Sequence, residues 1–351
     1  MDKAIVFTHN LLAENFAKTC HGLLRGTDRF EILSVIDSEH EGKDAGTVLN
    51  GSPLGIPVYS SVTQFFENSN ESPEFCIIGV AFPGGVLPED CRKELLAAMD
   101  HGLSIICGLH HYLSEDPEFQ GSAKNNEVKL IDIRKPRPVS ELHFWTGEIL
   151  KVTVPVIAIL GSDCAVGKRT TARFIMEICR SRGIKTEMIY TGQTGWMQGY
   201  SHGFIFDATP NDFVSGEIER VVLECVDVSK PELILLEGQS SLRNPSGPCG
   251  SEFLLSGNAK GVVLIHPPGR KHFVDMEELG FQIPDIEDEI ELIQKYGSKV
   301  IGVGLNEEGC DMGRLRSIQQ AISKKMNIPV VLPLTDGVNE IVDGIQTFMN
   351  Q

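Results

Sequence analysis

The stretch Val154-Pro155-Val156-Ile157-Ala158-Ile159-Leu160-Gly161-Ser162-Asp163-Cys164-Ala165-Val166-Gly167-Lys168-Arg169-Thr170-Thr171 decides how this chain is read. Val154–Leu160 is continuously apolar, as a strand buried on both faces requires. From Lys168 to about Arg182 the pattern is helical. The loop between them carries two glycines and ends on a lysine. Such a loop aims backbone N–H groups and the positive end of a helix at an anion, and the lysine adds a point charge. This strand–loop–helix context is the one a phosphate-binding loop needs. Its spacing is unusual: five residues separate Gly161 from Gly167 instead of four, and Arg169 stands where a magnesium-binding Ser or Thr ordinarily follows the lysine. The expected phosphate contacts are Gly161, Asp163, Cys164, Ala165, Val166, Gly167, Lys168, Arg169, Thr170 and Thr171. A glycine-rich turn without a ligand is the alternative.

Downstream the alternation continues, with strands at 185–190, 232–236, 261–265, 299–304 and 329–332. Helices fall at about 212–225, 286–296, 312–325 and 337–349. Upstream, strands at 4–8, 31–37, 75–80 and 103–108 alternate with helices at 12–24 and 88–100. Strands separated by helices imply crossovers and a parallel sheet. The fold class is therefore α/β, with a first domain over 1–112, a linker over 113–150 and a second domain over 151–351.

At 351 residues the chain is longer than one core usually organises. It carries 31 Lys and Arg against 48 Asp and Glu, a formal net charge of −17. A field of that sign repels phosphate backbones and anionic lipid, so neither nucleic acid nor a membrane is an expected partner. No apolar run approaches a membrane span, and the start lacks the basic and apolar regions of a signal peptide. The nine cysteines show no C-x-x-C pair, which gives neither a zinc site nor a disulfide framework. A cytoplasmic chain without a structural metal is expected.

Further candidates lie at strand ends. Glu237, in Leu233-Ile234-Leu235-Leu236-Glu237-Gly238-Gln239, ends an apolar strand where α/β sheets bind ligands; it could hold Mg²⁺, orient water or take a proton. Thr191-Gly192-Gln193-Thr194-Gly195 offers a close backbone approach and neutral hydrogen bonds, or is a plain turn. Asp212 is a helix cap or a ligand. Arg270, in His266-Pro267-Pro268-Gly269-Arg270, suits a carboxylate or phosphate through its fork, or is simply solvated. In the first domain Asp37 ends a strand where a dinucleotide fold places its ribose acid, but His9-Asn10-Leu11-Leu12-Ala13 lacks the glycines that admit a pyrophosphate. NAD is therefore not expected. Lys18, His21 and the turn Ala81-Phe82-Pro83-Gly84-Gly85 are candidate substrate contacts.

Several of these motifs occur together in one known family. Ala17–Arg25, Val35–Ser38 with Gly42–Gly46, Gly108–His110 with Ser114–Pro117, Asp163–Lys168 with Thr170 and Thr171, Thr191–Gly195, Glu237–Gln239 and Gly269-Arg270 run in that family's order. The chain resembles a two-domain bacterial and archaeal family long filed as of unknown function. The resemblance implies a Rossmann-like N-terminal domain and a P-loop NTPase-like C-terminal domain. It also implies an acyl-CoA-dependent N-acyltransferase on an acidic amino acid, since one branch is D-glutamate N-acetyltransferase, with acetyl-CoA as co-substrate. On that reading Lys168, Arg169, Thr170 and the loop amides hold the CoA phosphates. Glu237 is the base, Gln193 and Thr194 polarise the thioester carbonyl, and Arg270 takes a substrate carboxylate. A more distant likeness to dethiobiotin synthetase places Lys168 and Glu237 at its phosphate lysine and magnesium carboxylate, which makes ATP with Mg²⁺ the alternative. A nucleotide- or CoA-binding module without turnover is a third reading, and a homo-oligomer is expected.

Overall fold

Both alternations of strands and helices close into parallel sheets in the computed structural model, which describes residues 1–82 and 85–351. Pro83 and Gly84 of the Ala81–Gly85 turn named above lie outside the described residues. The chain divides into two compact units, one of Met1–Pro136 with Gln193–Tyr200 and one of Arg137–Gly192 with Ser201–Gln351.

The first unit holds β1 (Asp2–Phe7), β2 (Phe30–Ile36), β3 (Val58–Tyr59), β4 (Phe75–Ile78), β5 (Ser104–Cys107) and β6 (Leu130–Asp132). Their order is β3-β2-β1-β4-β5-β6, every pair parallel. Ala4–Phe7, Cys76–Ile78 and Ile105–Cys107 are buried, which is why their sequences run apolar without alternation. The order reverses between β1 and β4, where folds of this type open a ligand crevice.

Two expectations need correcting here. The helix expected over 12–24 spans only Lys18–Leu24. Residues after β1 turn instead, with His9 and Asn10 at φ 49° and 63°, and the Leu12 N–H donates to Asp37 Oδ2 at 3.0 Å. Residues 113–132, read as the start of a linker, carry the helix Pro117–Asn125 and edge strand β6. Asp116 opens that helix by accepting from the Glu118 and Phe119 amides, and Asp132 accepts from Leu113 and Ser114.

The second unit holds β7 (Val156–Gly161), β8 (Thr186–Tyr190), β9 (His202–Gly203), β10 (Leu233–Glu237), β11 (Gly261–His266), β12 (Lys299–Leu305) and β13 (Val330–Val331). The order is β13-β12-β11-β7-β10-β8-β9, again all parallel. β7, the strand of the decisive stretch, lies between β10 and β11, with every residue buried. Residues 137–151 are not a free tether either. Buried Glu217 accepts from Arg137 and from the His143 amide, and buried Glu219 accepts from the Thr146 and Ile149 amides. Both glutamates project from the helix Asn211–Ser229. That helix begins after Pro210, so Asp212 lies inside its first turn and is not its cap. Among the described residues no helix is long and apolar enough to cross a membrane, and all nine cysteines are free.

Candidate functional site

β7 ends at Gly161, and six residues separate it from the helix Lys168–Ser181. The loop between them reverses sharply, with Ala165 at φ 52° and Gly167 at φ 97°. A non-glycine residue in the left-handed region is strained, and such strain persists where the surroundings fix it. Here Asn306 Nδ2 donates to the Val166 carbonyl at 3.1 Å, and Arg270 Nη1 donates to the Cys164 carbonyl at 2.9 Å.

Asp163 is the hub. It is 0% exposed, and each carboxylate oxygen accepts two hydrogen bonds. Oδ1 takes the Cys164 N–H at 2.7 Å and Asn244 Nδ2 at 3.2 Å. Oδ2 takes Arg270 Nη1 at 2.8 Å and the Val274 N–H at 2.9 Å. Asp163 therefore acts as a brace, tying the loop to the chain that follows β10 and to the chain that follows β11. Gly269 permits this, since a Cβ there would lie 2.3 Å from the Glu308 carbonyl oxygen. Arg270 also reaches exposed Glu308 through Nη2 at 3.3 Å, its weaker contact.

Lys168 behaves differently from the arginines. Its Nζ donates to the carbonyls of Asp163 at 2.7 Å and Ser240 at 2.8 Å. Among the described residues no carboxylate lies in salt-bridge range of it, and burial pushes its pKa down. A buried ammonium whose direct contacts are all neutral oxygens, with the Asp163 and Glu237 carboxylates acting on it only from beyond contact range, lacks a contact counter-charge. Six amides sit beside it: the N–H groups of Ala165, Val166, Gly167, Lys168, Arg169 and Thr170 donate to no described residue, whereas Thr171 already bonds the Gly167 carbonyl. Unpaired amides, a helix N-terminus and a lysine without a contact ion pair together make an anion site. Ser162 adds a hydroxyl 2.9 Å from Nδ1 of His266, whose pKa burial pushes down to about 4, so this imidazole is neutral near pH 7. Cys164, half-buried, has its thiol 3.6 Å from the Ser240 hydroxyl.

Glu237 lies at the end of β10 as expected, and a Cβ on Gly238 would lie 2.4 Å from the Ile159 carbonyl oxygen. Glu237 is 1% exposed and both its carboxylate oxygens are engaged. Oε1 accepts from Arg169 Nε at 2.6 Å, and Oε2 accepts from the Thr191 N–H at 3.0 Å. The Thr191 hydroxyl donates to the Glu237 carbonyl at 2.7 Å and accepts from Gln239 Nε2 at 3.0 Å. A proton-accepting role would require Arg169 to leave.

Gln193 and Thr194 belong to the first unit. They open a short helix, Gln193–Met197, in a stretch read from the sequence either as a ligand-contacting loop or as a plain turn, and both are buried. Gln193 Oε1 accepts from Arg134 Nη2 at 3.0 Å, and the Thr194 hydroxyl lies 3.1 Å from that of Thr19. In the same unit His21 Nε2 lies 2.7 Å from the Leu12 carbonyl, and burial lowers its pKa. Lys18 is exposed at the start of its helix. Asp37 accepts from the Thr8 hydroxyl, the Leu12 amide and His40, so its carboxylate is consumed inside the unit. Asn244, Asn306 and Ser240 were missed in the sequence. They reach the loop from segments distant in the chain, and only the Glu237-Gly238-Gln239 motif next to Ser240 gave any signal.

Residues 38–136 match the Rossmann-like domain, and residues 143–342 the P-loop domain, of the domain of unknown function DUF1611. A D-glutamate N-acetyltransferase of a Pseudoalteromonas species is 29% identical over 276 residues, which span 77% of this chain and 80% of that protein. A second protein of that name, from Tritonibacter scottomollicae, is 27% identical over the same shares. The crystal structure of a DUF1611 family protein from Anabaena variabilis superposes with a TM-score of 0.89 at 24% identity, covering 99% of this chain and 100% of the other, and shares its fold. With a Rossmann-like first unit and a P-loop second unit, the chain belongs to the DUF1611 family.

Proposed function

We propose that this protein is an acyl-CoA-dependent N-acyltransferase that acetylates an acidic amino acid, D-glutamate first among candidates. The observation that carries the proposal is Lys168, without a carboxylate in contact, beside six unpaired amides, in a chain whose relatives bear the name D-glutamate N-acetyltransferase. The coenzyme A diphosphate would sit on the amides of Ala165–Thr170 with Lys168 and Arg169 as counter-charges. Arg270 would take a substrate carboxylate through Nη2 by displacing the exposed Glu308. Glu237 would hold Arg169 in position. In the transfer, the substrate ammonium gives one proton to solvent and the neutral amine attacks the thioester carbon. A C–N bond forms, the C–S bond breaks, and the second proton lost from nitrogen passes to the departing thiolate, giving the N-acetyl amino acid and the coenzyme A thiol.

The test is release of free thiol from acetyl-CoA with D-glutamate, L-glutamate, D-aspartate and neutral amino acids as acceptors. Acidic acceptors are expected to be preferred. Lys168→Met is expected to weaken coenzyme A binding by at least about tenfold, since a desolvated charge contact is worth more than 1.4 kcal/mol. No thiol release with any acceptor, from protein that binds coenzyme A, would refute the activity.

A further inference from the structure

We infer that Arg169, held by Glu237, replaces the magnesium ion of ordinary phosphate loops, so that this site selects a polyphosphate ester that carries no metal. The inference rests on the loop being a phosphate site, as proposed above, and not on acetyl transfer. Where a phosphate loop uses magnesium, the hydroxyl following its lysine and a carboxylate from a neighbouring strand end hold the ion. Both positions are present here with different chemistry. The residue after Lys168 is Arg169, which offers five N–H donors and no oxygen. The strand-end carboxylate is Glu237, buried, with Oε1 2.6 Å from Arg169 Nε and Oε2 3.0 Å from the Thr191 amide. Magnesium demands oxygen lone pairs in near-octahedral array. This donor set presents a cation where the ion would stand, and the hydroxyl of Thr170 is turned about 100° around the helix from Arg169. Magnesium does not fit these residues.

What the ion would supply, positive charge between the carboxylate and a phosphate, the guanidinium can supply. Its Nε is spent on Glu237. Its two terminal nitrogens donate to no described residue, and the side chain is about one-quarter exposed at 26%. One of them lies alongside Gly192, where a Cβ would be 3.8 Å away. Planar and permanently charged, the fork matches two phosphate oxygens. A Mg²⁺–nucleotide brings a second cation toward Arg169 and is disfavoured, whereas a bare diphosphate ester such as that in coenzyme A is not. Arg169 is thus a specificity-determining residue, and Glu237 positions it.

Calorimetric titration of the full-length protein with coenzyme A and with ADP, each in excess Mg²⁺ and in EDTA, tests this. Wild type is expected to bind coenzyme A equally well, within about twofold, in both conditions. Arg169→Thr restores the hydroxyl and frees Glu237. It should bind ADP at least about tenfold tighter with Mg²⁺ than with EDTA. Mg²⁺ alone should raise its melting temperature and leave that of wild type unchanged. Arg169→Lys, which keeps a cation, should stay independent of the metal. Wild-type binding that vanishes in EDTA, or Mg²⁺ dependence in Arg169→Lys, would overturn the inference. So would an Arg169→Thr protein that folds yet gains no Mg²⁺ dependence. If Arg169→Thr does not fold, the wild-type and Arg169→Lys arms decide. Wild type that binds neither probe overturns the inference and the phosphate site together. Metal-independent binding without thiol release leaves the inference standing and sinks only the acetyltransferase reading.

Discussion

Asp163→Asn is the sharpest test of how the loop is held. The side chain is fully buried and accepts four hydrogen bonds, two per oxygen. The amide oxygen of the substituted side chain can keep the Cys164 N–H. Its NH₂ group must then occupy the place of Oδ2, facing Arg270 Nη1 at 2.8 Å and the Val274 N–H at 2.9 Å, donor against donor. Removing one partner of a buried pair costs about 3–5 kcal/mol. Because Arg270 keeps the Cys164 carbonyl and Glu308, the lower end applies, about 3 kcal/mol. For a unit of this size that lowers the melting temperature by roughly 6–12 °C. The assay is urea and thermal unfolding in a Trp196→Phe background, which leaves Trp145 of the second unit as the sole tryptophan reporter. A double-mutant cycle with Arg270→Met should return a coupling of at least about 1 kcal/mol. A loss below about 1 kcal/mol for Asp163→Asn, with no coupling to Arg270, would refute the bracing role.

His266 makes stability depend on pH. The unfolded imidazole takes up a proton below its ordinary 6.5, while burial keeps the folded one neutral down to about 4. Stability of the second unit therefore falls as the pH drops from about 6.5 to about 4 and levels off beneath. In His266→Gln that part of the slope in urea midpoints should disappear. At Gly216 an added Cβ would lie 1.9 Å from the His143 carbonyl oxygen, so Gly216→Ala must push residues 143–146 off the helix. A loss of about 1–3 kcal/mol is expected in equilibrium unfolding, and an unchanged midpoint would show that this segment is not packed there.

The sequence alone was enough for the α/β class, for most of the longer strands, and for the loop between β7 and its helix. These rest on local physics: a strand buried on both faces must be apolar throughout, and a phosphate loop must lie within a few residues of its strand and helix. The short strands β3, β6 and β9 escaped because two or three residues carry no period. The stretch 113–150 looked like a linker because its polar residues find partners in Arg92, Glu217 and Glu219, far away in the chain. The same reason governs the site. Lys168, Arg169, Glu237 and Arg270 could each be named from their neighbours in sequence. Which of them is neutralised is a matter of a few ångströms between segments tens of residues apart. Only the folded chain decided that Arg169 faces Glu237, that Arg270 faces Asp163, and that Lys168 faces carbonyl oxygens with no carboxylate in contact with it.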